Sequence, residues 1–230
     1  MLGTVVNALA IAGGTAFGLV LKSGIRENYR ETIMNAIALS VFLIGMLSAI
    51  KTENLLLLIF SLAIGSVIGE ALKIEDRLSG LGLWIESKTS GSDGSVAKAF
   101  VTSSLVFCVG SMAIVGSIES GLTGNHQTLF AKSVLDGIVS IFLSSTLGFG
   151  VVFSCVAVFV YQGAITLASS GLKSLLSAVM VQEISAVGGV LIMAIGLNLL
   201  KIKQIKVGNM LPAIILPFLY FFFLKAFGIG

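Results

Sequence analysis

"AKSVLDGIVSIFLSSTLGFG", residues 131–150, places an aspartate in a run where hydropathy alone expects leucine. Asp136 is flanked by Val134, Leu135, Ile138, Val139, Ile141 and Phe142. Drawn as a helix, Ser133, Asp136, Gly137, Ser140, Ser144 and Gly148 recur at spacings of three and four and form one stripe of small and polar side chains. A carboxylate facing lipid is costly, so the stripe has to face a protein interior or a water-filled cavity. The stretch therefore reads as one helix of a bundle, with its polar side turned inward.

The rest of the chain agrees. Hydrophobic residues make up 56% and charged residues 11%, against about 25% charged in a soluble domain. Mean hydropathy is +1.07. Apolar runs of about 20 residues recur, each long enough to cross a bilayer as a helix. The expected fold class is all-α, a polytopic transmembrane helix bundle forming a single domain over 1–230. Eight spanning segments are predicted, at roughly 2–21, 33–50, 54–72, 99–118, 130–147, 149–168, 184–200 and 209–227. With 27 glycines against two prolines, close helix packing through small residues is expected. The net charge of +3 lies in loops, so the partners expected are membrane lipids and a small solute or ion, and no nucleic acid. Cys108 and Cys155 both fall in apolar runs and read as small buried hydrophobes.

The longest polar stretch, about 73–98, contains "SKTSGSDGS" at 87–95 and reads as a flexible loop. Leu78, Leu81, Trp84 and Ile85 share a helical face just before it, the pattern of a short helix in the membrane interface or of a loop helix packed on the protein. Lys22, Arg26, Arg30, Lys73, Arg77, Lys88, Lys98, Lys201, Lys203 and Lys206 fall on one side; Lys51, Lys132, Lys173 and Lys225 fall on the other. Basic loops stay cytoplasmic. The 73–98 loop is then cytoplasmic, and with eight crossings both termini lie outside the cytoplasm.

The two ends of the chain echo each other. "AFGLVLKSGIRENYRETIMNAIALSVFLIGMLSAIK" at 16–51 and "AITLASSGLKSLLSAVMVQEISAVGGVLIMAIGLNLLK" at 164–201 both run from an apolar helix through Ser-Gly-(Ile/Leu)-(Arg/Lys) and a polar connector into a second helix. As a repeat, segments one to three correspond to segments six to eight in opposite orientation, the inverted arrangement common in secondary transporters. Shared richness in Gly, Ala, Leu and Ile is the alternative reading. Gly14-x-x-x-Gly18 and Gly65-x-x-x-Gly69 are small-residue faces that serve packing within one chain or between two, and a homodimer is expected by analogy with small transporters.

Asp136 reads as the centre of an ion, proton or substrate site lined by the hydroxyls of Ser133, Ser140 and Ser144, or else as a structural acid pairing with Lys132. Gln162, Glu119, Asn198 and Glu70 complete the candidate pathway residues. Asn7 sits on a face with Gly3, Ala10, Gly14 and Gly18 and reads as part of a packing seam, and Glu183 reads as a helix cap. Pro212 and Pro217 disturb the hydrogen bonding of the last segment. "GLTGNHQT" at 121–128 has the composition of a turn, with a loop dipping into the bilayer as the other reading.

These residues carry a resemblance. "GSMAIVGSIESGLTGNHQTLFAKSVLDGIVSIFLSSTLGFGVVFS" with "VYQGAITL", together with "GTVVNALAIAGGTAFGLVLKSGI", "IGEALKIEDRL" and "ISAVGGVLIMAIGLNLLKIKQIKVGNMLPA", resembles the YqgA/YdfK-like bacterial membrane-protein family, domain-of-unknown-function family 554. The resemblance implies a polytopic protein of the bacterial inner (plasma) membrane with a transporter role, and carries over no binding residues. A secondary transporter for a small ion or metabolite is thus expected, with an ion channel or a structural or assembly protein as alternatives. No enzyme is expected: Asp76 and Asp93 fall in the loop, the one histidine, His126, falls in the turn, and no metal-ligand or phosphate-loop spacing implies a cofactor.

Overall fold

A computed structural model describes every residue except 23–26, 78–79, 81–95, 109–110, 170, 172–176 and 228–230. Its helices are α1 (Leu2–Lys22), α2 (Glu27–Ala49), α3 (Leu55–Ala71), α4 (Val96–Cys108), α5 (Ser111–Thr123), α6 (Gln127–Leu147), α7 (Ser154–Leu167), α8 (Ala178–Leu199) and α9 (Ile215–Ala226). Two 3-10 stretches, Phe149–Phe153 and Val207–Ile214, lead into α7 and α9. No strand occurs among the described residues. Asn54 and Ser177 start α3 and α8 by accepting from the backbone N–H of Leu57 and Met180, which meets one orphan donor at each helix start. Gly124 and Gly148 take positive φ, 67° and 86°, at the turns on either side of α6.

Six of these elements are long and apolar enough to cross a bilayer, and the bent pair α4–α5 is a seventh if it counts as one span. The remaining apolar segment, α3, has 17 residues, at the short limit for a spanning helix. All eight expected segments are thus helical: six are long and apolar, the fourth is bent by 60°, and the third, α3, is the short one. The pair α4–α5 nonetheless runs the length of α6. Its first turn, at Val96 and Ala99, packs on Gly150 just past the end of α6, and Gly116 packs on Thr128 and Leu129 at its start. A loop dipping in and out would leave both ends on one side, so the "GLTGNHQT" segment is the end of a helix and a turn, with no dipping loop.

Helices meet through glycine. A Cβ added at Gly14 or Gly18 would come within 3.0 Å of Gly137 and Ser140, or of Ile141 and Ser144. With Gly3 against Leu129, the contacts advance together along both chains, so α1 and α6 lie parallel. Gly45 faces Gly189 and Met193, and Gly196 faces Phe42, so α2 and α8 are antiparallel. Gly65 faces Ala213 and Gly69 faces Asn209, which sets α3 antiparallel to the 3-10 stretch before α9. Both Gly-x-x-x-Gly faces are therefore filled by this chain itself. Pro212 lies inside that 3-10 stretch.

The core is in two parts. One surrounds α8, where Ala186, Val187, Leu191, Ile192 and Ile195 pack on Ala38 and Val41 of α2 and Leu58 of α3. The other joins Ile11, Phe107, Leu143, Val151 and Val158 from α1, α4, α6 and the α7 region. Ile37, Val106 and Leu147 pack against both. Of the expected interfacial helix, Leu78, Leu81, Trp84 and Ile85 lie outside the described residues.

Glu183 does not cap its own helix. Fully buried, it accepts from Thr52 Oγ1 (2.6 Å), Glu53 N (2.7 Å) and Asn54 N (3.2 Å), holding the turn between α2 and α3 against the start of α8. The glycine seams generate a matched pair of expectations. Gly14→Ala should destabilise the protein by about 1–3 kcal/mol through overpacking. Gly13→Ala, whose new methyl meets nothing within 4 Å, should be neutral or gain up to about 1 kcal/mol. Denaturant unfolding of the two variants in mild detergent measures the difference.

Candidate functional site

Asp136 is the tenth residue of the 21-residue α6, so it sits about 14 Å along the helix from its first residue, near mid-span. It is 6% exposed, as is Lys132 one turn earlier. Lys132 Nζ donates to both carboxylate oxygens, at 2.9 Å to Oδ1 and 2.7 Å to Oδ2. Asn7 Nδ2 on α1 donates to Asp136 Oδ2 at 3.0 Å and to Gln162 Oε1 on α7 at 3.3 Å. Thr4 and Thr166 hydroxyls from the same two helices meet at 3.5 Å. The result is a chain of polar groups across three helices, Lys132 to Asp136 to Asn7 to Gln162.

The chain has a fixed polarity. An ionised carboxylate only accepts, so Asn7 must turn its NH2 toward Asp136. The same NH2 then draws the Gln162 carbonyl. That leaves Asn7 Oδ1 and Gln162 Nε2 fully buried and without a partner. Buried polar atoms without partners are few in native proteins. Here two of them flank a buried ion pair.

Other expected site residues go elsewhere. Ser140 and Ser144 give their hydroxyls to carbonyls of their own helix, at Gly137 and at Ser140 and Ile141, and fit against Gly14 and Gly18. Ser133 likewise bonds Leu129 O. The hydroxyl stripe faces inward as its periodicity requires, but it forms the α1–α6 seam. Glu119 accepts from Asn125 Nδ2 and Thr128 Oγ1, both at 2.7 Å, and fastens the α5–α6 turn, where Ser120 Oγ also meets His126 Nδ1 at 2.8 Å. Asn198 bonds both backbone groups of Ile205 at 2.8 Å and pins the basic loop after α8. Glu70 accepts from Asn209 Nδ2 (2.6 Å) and Lys206 Nζ (3.1 Å). The hydrogen bond to Glu70 holds the Lys206 ammonium above the usual lysine range. Of the eight candidates, the structure brings together Asp136 and Gln162. Asn7 and Lys132, read as a seam residue and as a loop charge or structural partner, complete the cluster.

Away from this cluster, a cleft of about 300 Å³ opens between α2, α5 and α8, lined by Ser48, Lys51, Val115, Gln182 and Ser185. Gln182 donates to Lys51 O and to Glu53 Oε1 at its edge.

Apolar helices that bury polar groups only toward one another define a polytopic α-helical membrane protein. The chain belongs to the family described as "Protein of unknown function (DUF554)", whose family model matches residues 2–222. It is similar to the "Uncharacterized membrane protein YdfK" of Bacillus subtilis (strain 168), with 35% identity over 235 residues, 100% of this chain and 99% of that one. It is also similar to the "Uncharacterized protein YqgA" of Escherichia coli (strain K12), with 28% identity over 221 residues and 94% of each chain covered. No solved structure matches the chain.

The ion pair predicts strong coupling between its partners. Lys132→Gln or Asp136→Asn alone strands one buried charge and should destabilise the protein by about 3–5 kcal/mol. The double variant removes both charges and should be less destabilised than either single one. A double-mutant cycle of unfolding in detergent reads this; additive losses would show that the pair is not buried as described.

Proposed function

We propose that this protein is a secondary transporter that moves a small ion or metabolite across the bacterial inner membrane, with Asp136 at its coupling site. One observation carries the reading: a Lys–Asp pair enclosed near the middle of an apolar bundle, beside two amide groups with open hydrogen-bonding capacity. A buried ion pair contributes little to stability when compared with apolar packing, so its presence asks for another reason. Ionisable groups within spans mark ion and substrate pathways. The enclosure of the pair favours an occluded site over the continuous water-filled pore of a channel.

Two further features support the reading. α2 faces α8 and α3 faces the stretch before α9, both antiparallel. Those are the pairings that segments two and three would make with their counterparts in an inverted repeat. α1 departs from the scheme, because its closest neighbour is α6. The basic residues also favour one side more clearly once Lys132 is withdrawn from the loops, with both termini extracytoplasmic. A reporter fused after Gly230 should then be inactive if it requires the cytoplasm and active if it requires export. The reverse pattern would invert the topology.

Because Lys132 contacts both oxygens of Asp136, Asp136→Asn alone disturbs charge as well as chemistry. Uptake should be assayed in proteoliposomes for the wild type, Asp136→Asn and Lys132→Gln/Asp136→Asn, each checked for folding by thermal unfolding. The expected result is a gradient-driven flux in the wild type that falls at least about tenfold in the folded double variant, since intramembrane acids carry coupling. Undiminished flux in that variant would take Asp136 out of the mechanism.

A further inference from the structure

The donors around Asp136 point to the sign of the substrate. Lys132 Nζ (2.7 and 2.9 Å) from α6 and Asn7 Nδ2 (3.0 Å) from α1 converge on one carboxylate. Gln162 Nε2, from α7, is buried beside them and donates to nothing. Three donor nitrogens on three helices thus gather at one place, and the negative charge that two of them hold is tethered to the chain.

We propose that Asp136 is an internal stand-in for a transported anion, and that the anion enters together with one proton. This rests on the transport reading and adds the class of the substrate. In the resting site one ammonium and one carboxylate cancel. An anion added to that site would leave one uncompensated negative charge in a low-dielectric interior, where an unpaired ion is strongly disfavoured. Protonation of Asp136 resolves this. The proton comes from water and resides on a carboxylate oxygen. Lys132 keeps its charge and is released together with the Asn7 NH2. The anion then takes Lys132 Nζ, Asn7 Nδ2 and Gln162 Nε2 as donors. Charge balances at each stage, with one H⁺ and one monovalent anion bound per neutral site.

The converse, a transported cation, finds less to bind. Asn7 Oδ1 is the one cluster oxygen without a partner, and Lys132 already occupies the carboxylate. Among the described residues, Asp136 is bonded by Lys132 on its own helix and by Asn7 on α1, with Gln162 of α7 bonded to Asn7, and the Cys108 thiol of α4 is within electrostatic reach of Asp136 and Lys132. Lys132 is the charged one, so proton binding at Asp136 is the event that releases it.

The test uses the full chain in detergent and in proteoliposomes, with the monovalent anions chloride, nitrate, formate and acetate as probes. Anion binding is read as the concentration that half-protects the protein from thermal unfolding. At least one of these anions should protect, with an apparent affinity that rises up to about tenfold per pH unit as pH falls, because proton and anion binding are linked one to one. The rise ends once Asp136 is protonated in the free protein. Asp136→Asn should be protected by the same anion at every pH, since the anion replaces the lost partner of Lys132. Lys132→Gln and the double variant should lose the protection. No protection by any probe, or protection with the same pH slope in the double variant, overturns the proposal. Sodium- or potassium-driven flux without anion protection would keep the transport reading and end this one. Anion protection without flux would do the reverse.

Discussion

The close approach of α1 to α6 is the constraint on which the buried site depends. Asn7 reaches Asp136 because Gly14 and Gly18 let the two backbones come together at the level of Gly137 and Ile141. A larger side chain at either glycine would push the helices apart, and the 3.0 Å contact between Asn7 and Asp136 would open with them. In lipid, where water cannot substitute for a lost partner, that opening would leave a carboxylate held by Lys132 alone. Packing and polarity are thus one problem at this seam. The small residues of the stripe set the distance, and the two polar side chains one to two turns away use it.

The other helix pairs repeat the device for another purpose. Gly45 with Gly189, and Gly65 with Ala213, draw α2 and α3 onto α8 and the start of α9. At their ends the chain fastens itself with acids. Glu183 collects the α2–α3 turn, and Glu70 and Glu75 hold the segment entering α9 through Asn209 and the Gly208 N–H. These acids lie at helix ends, whereas Asp136 lies in the middle of its helix. Their partners belong to turns and connectors: backbone N–H groups and the Thr52 hydroxyl for Glu183, the Gly208 N–H for Glu75, and the Asn209 and Lys206 side chains for Glu70. The acid of α6 holds no backbone in place.

Much of this was legible in the sequence, and the gaps have physical causes. The apolar runs located the long helices, with α4 and α5 read as one, because length and hydropathy are what a bilayer selects. The period of Ser133, Asp136, Ser140 and Ser144 correctly turned that face inward. It could not say that the hydroxyls bond their own helix, since a serine facing a cavity and one facing a glycine share the same spacing. Asn7 reads as a seam residue because its neighbours on α1 are small, yet its partner lies 129 positions away on α6. Lys132 reads as a loop charge because hydropathy starts the segment only at residue 130, two residues before it. The helix starts at Gln127, which draws Lys132 inside. The bend between α4 and α5 has no proline to announce it.

The spacing of Lys132 and Asp136 has a consequence for how the protein is made. A charge at the centre of an inserting helix is disfavoured by about 2.5–3.5 kcal/mol, and most such groups must wait for another helix to neutralise them. Residues four apart on one helix are already neighbours once that turn has wound. The pair in α6 can therefore close within its own segment, before α1 or α7 is alongside. The segment enters the bilayer as a neutral unit, and its insertion does not depend on the order in which the other helices arrive. Asn7 donates to the carboxylate and to Gln162 afterwards, when the bundle assembles. The ion pair needs no other helix while its segment inserts, and its connection to the rest is made only when α1 and α7 arrive.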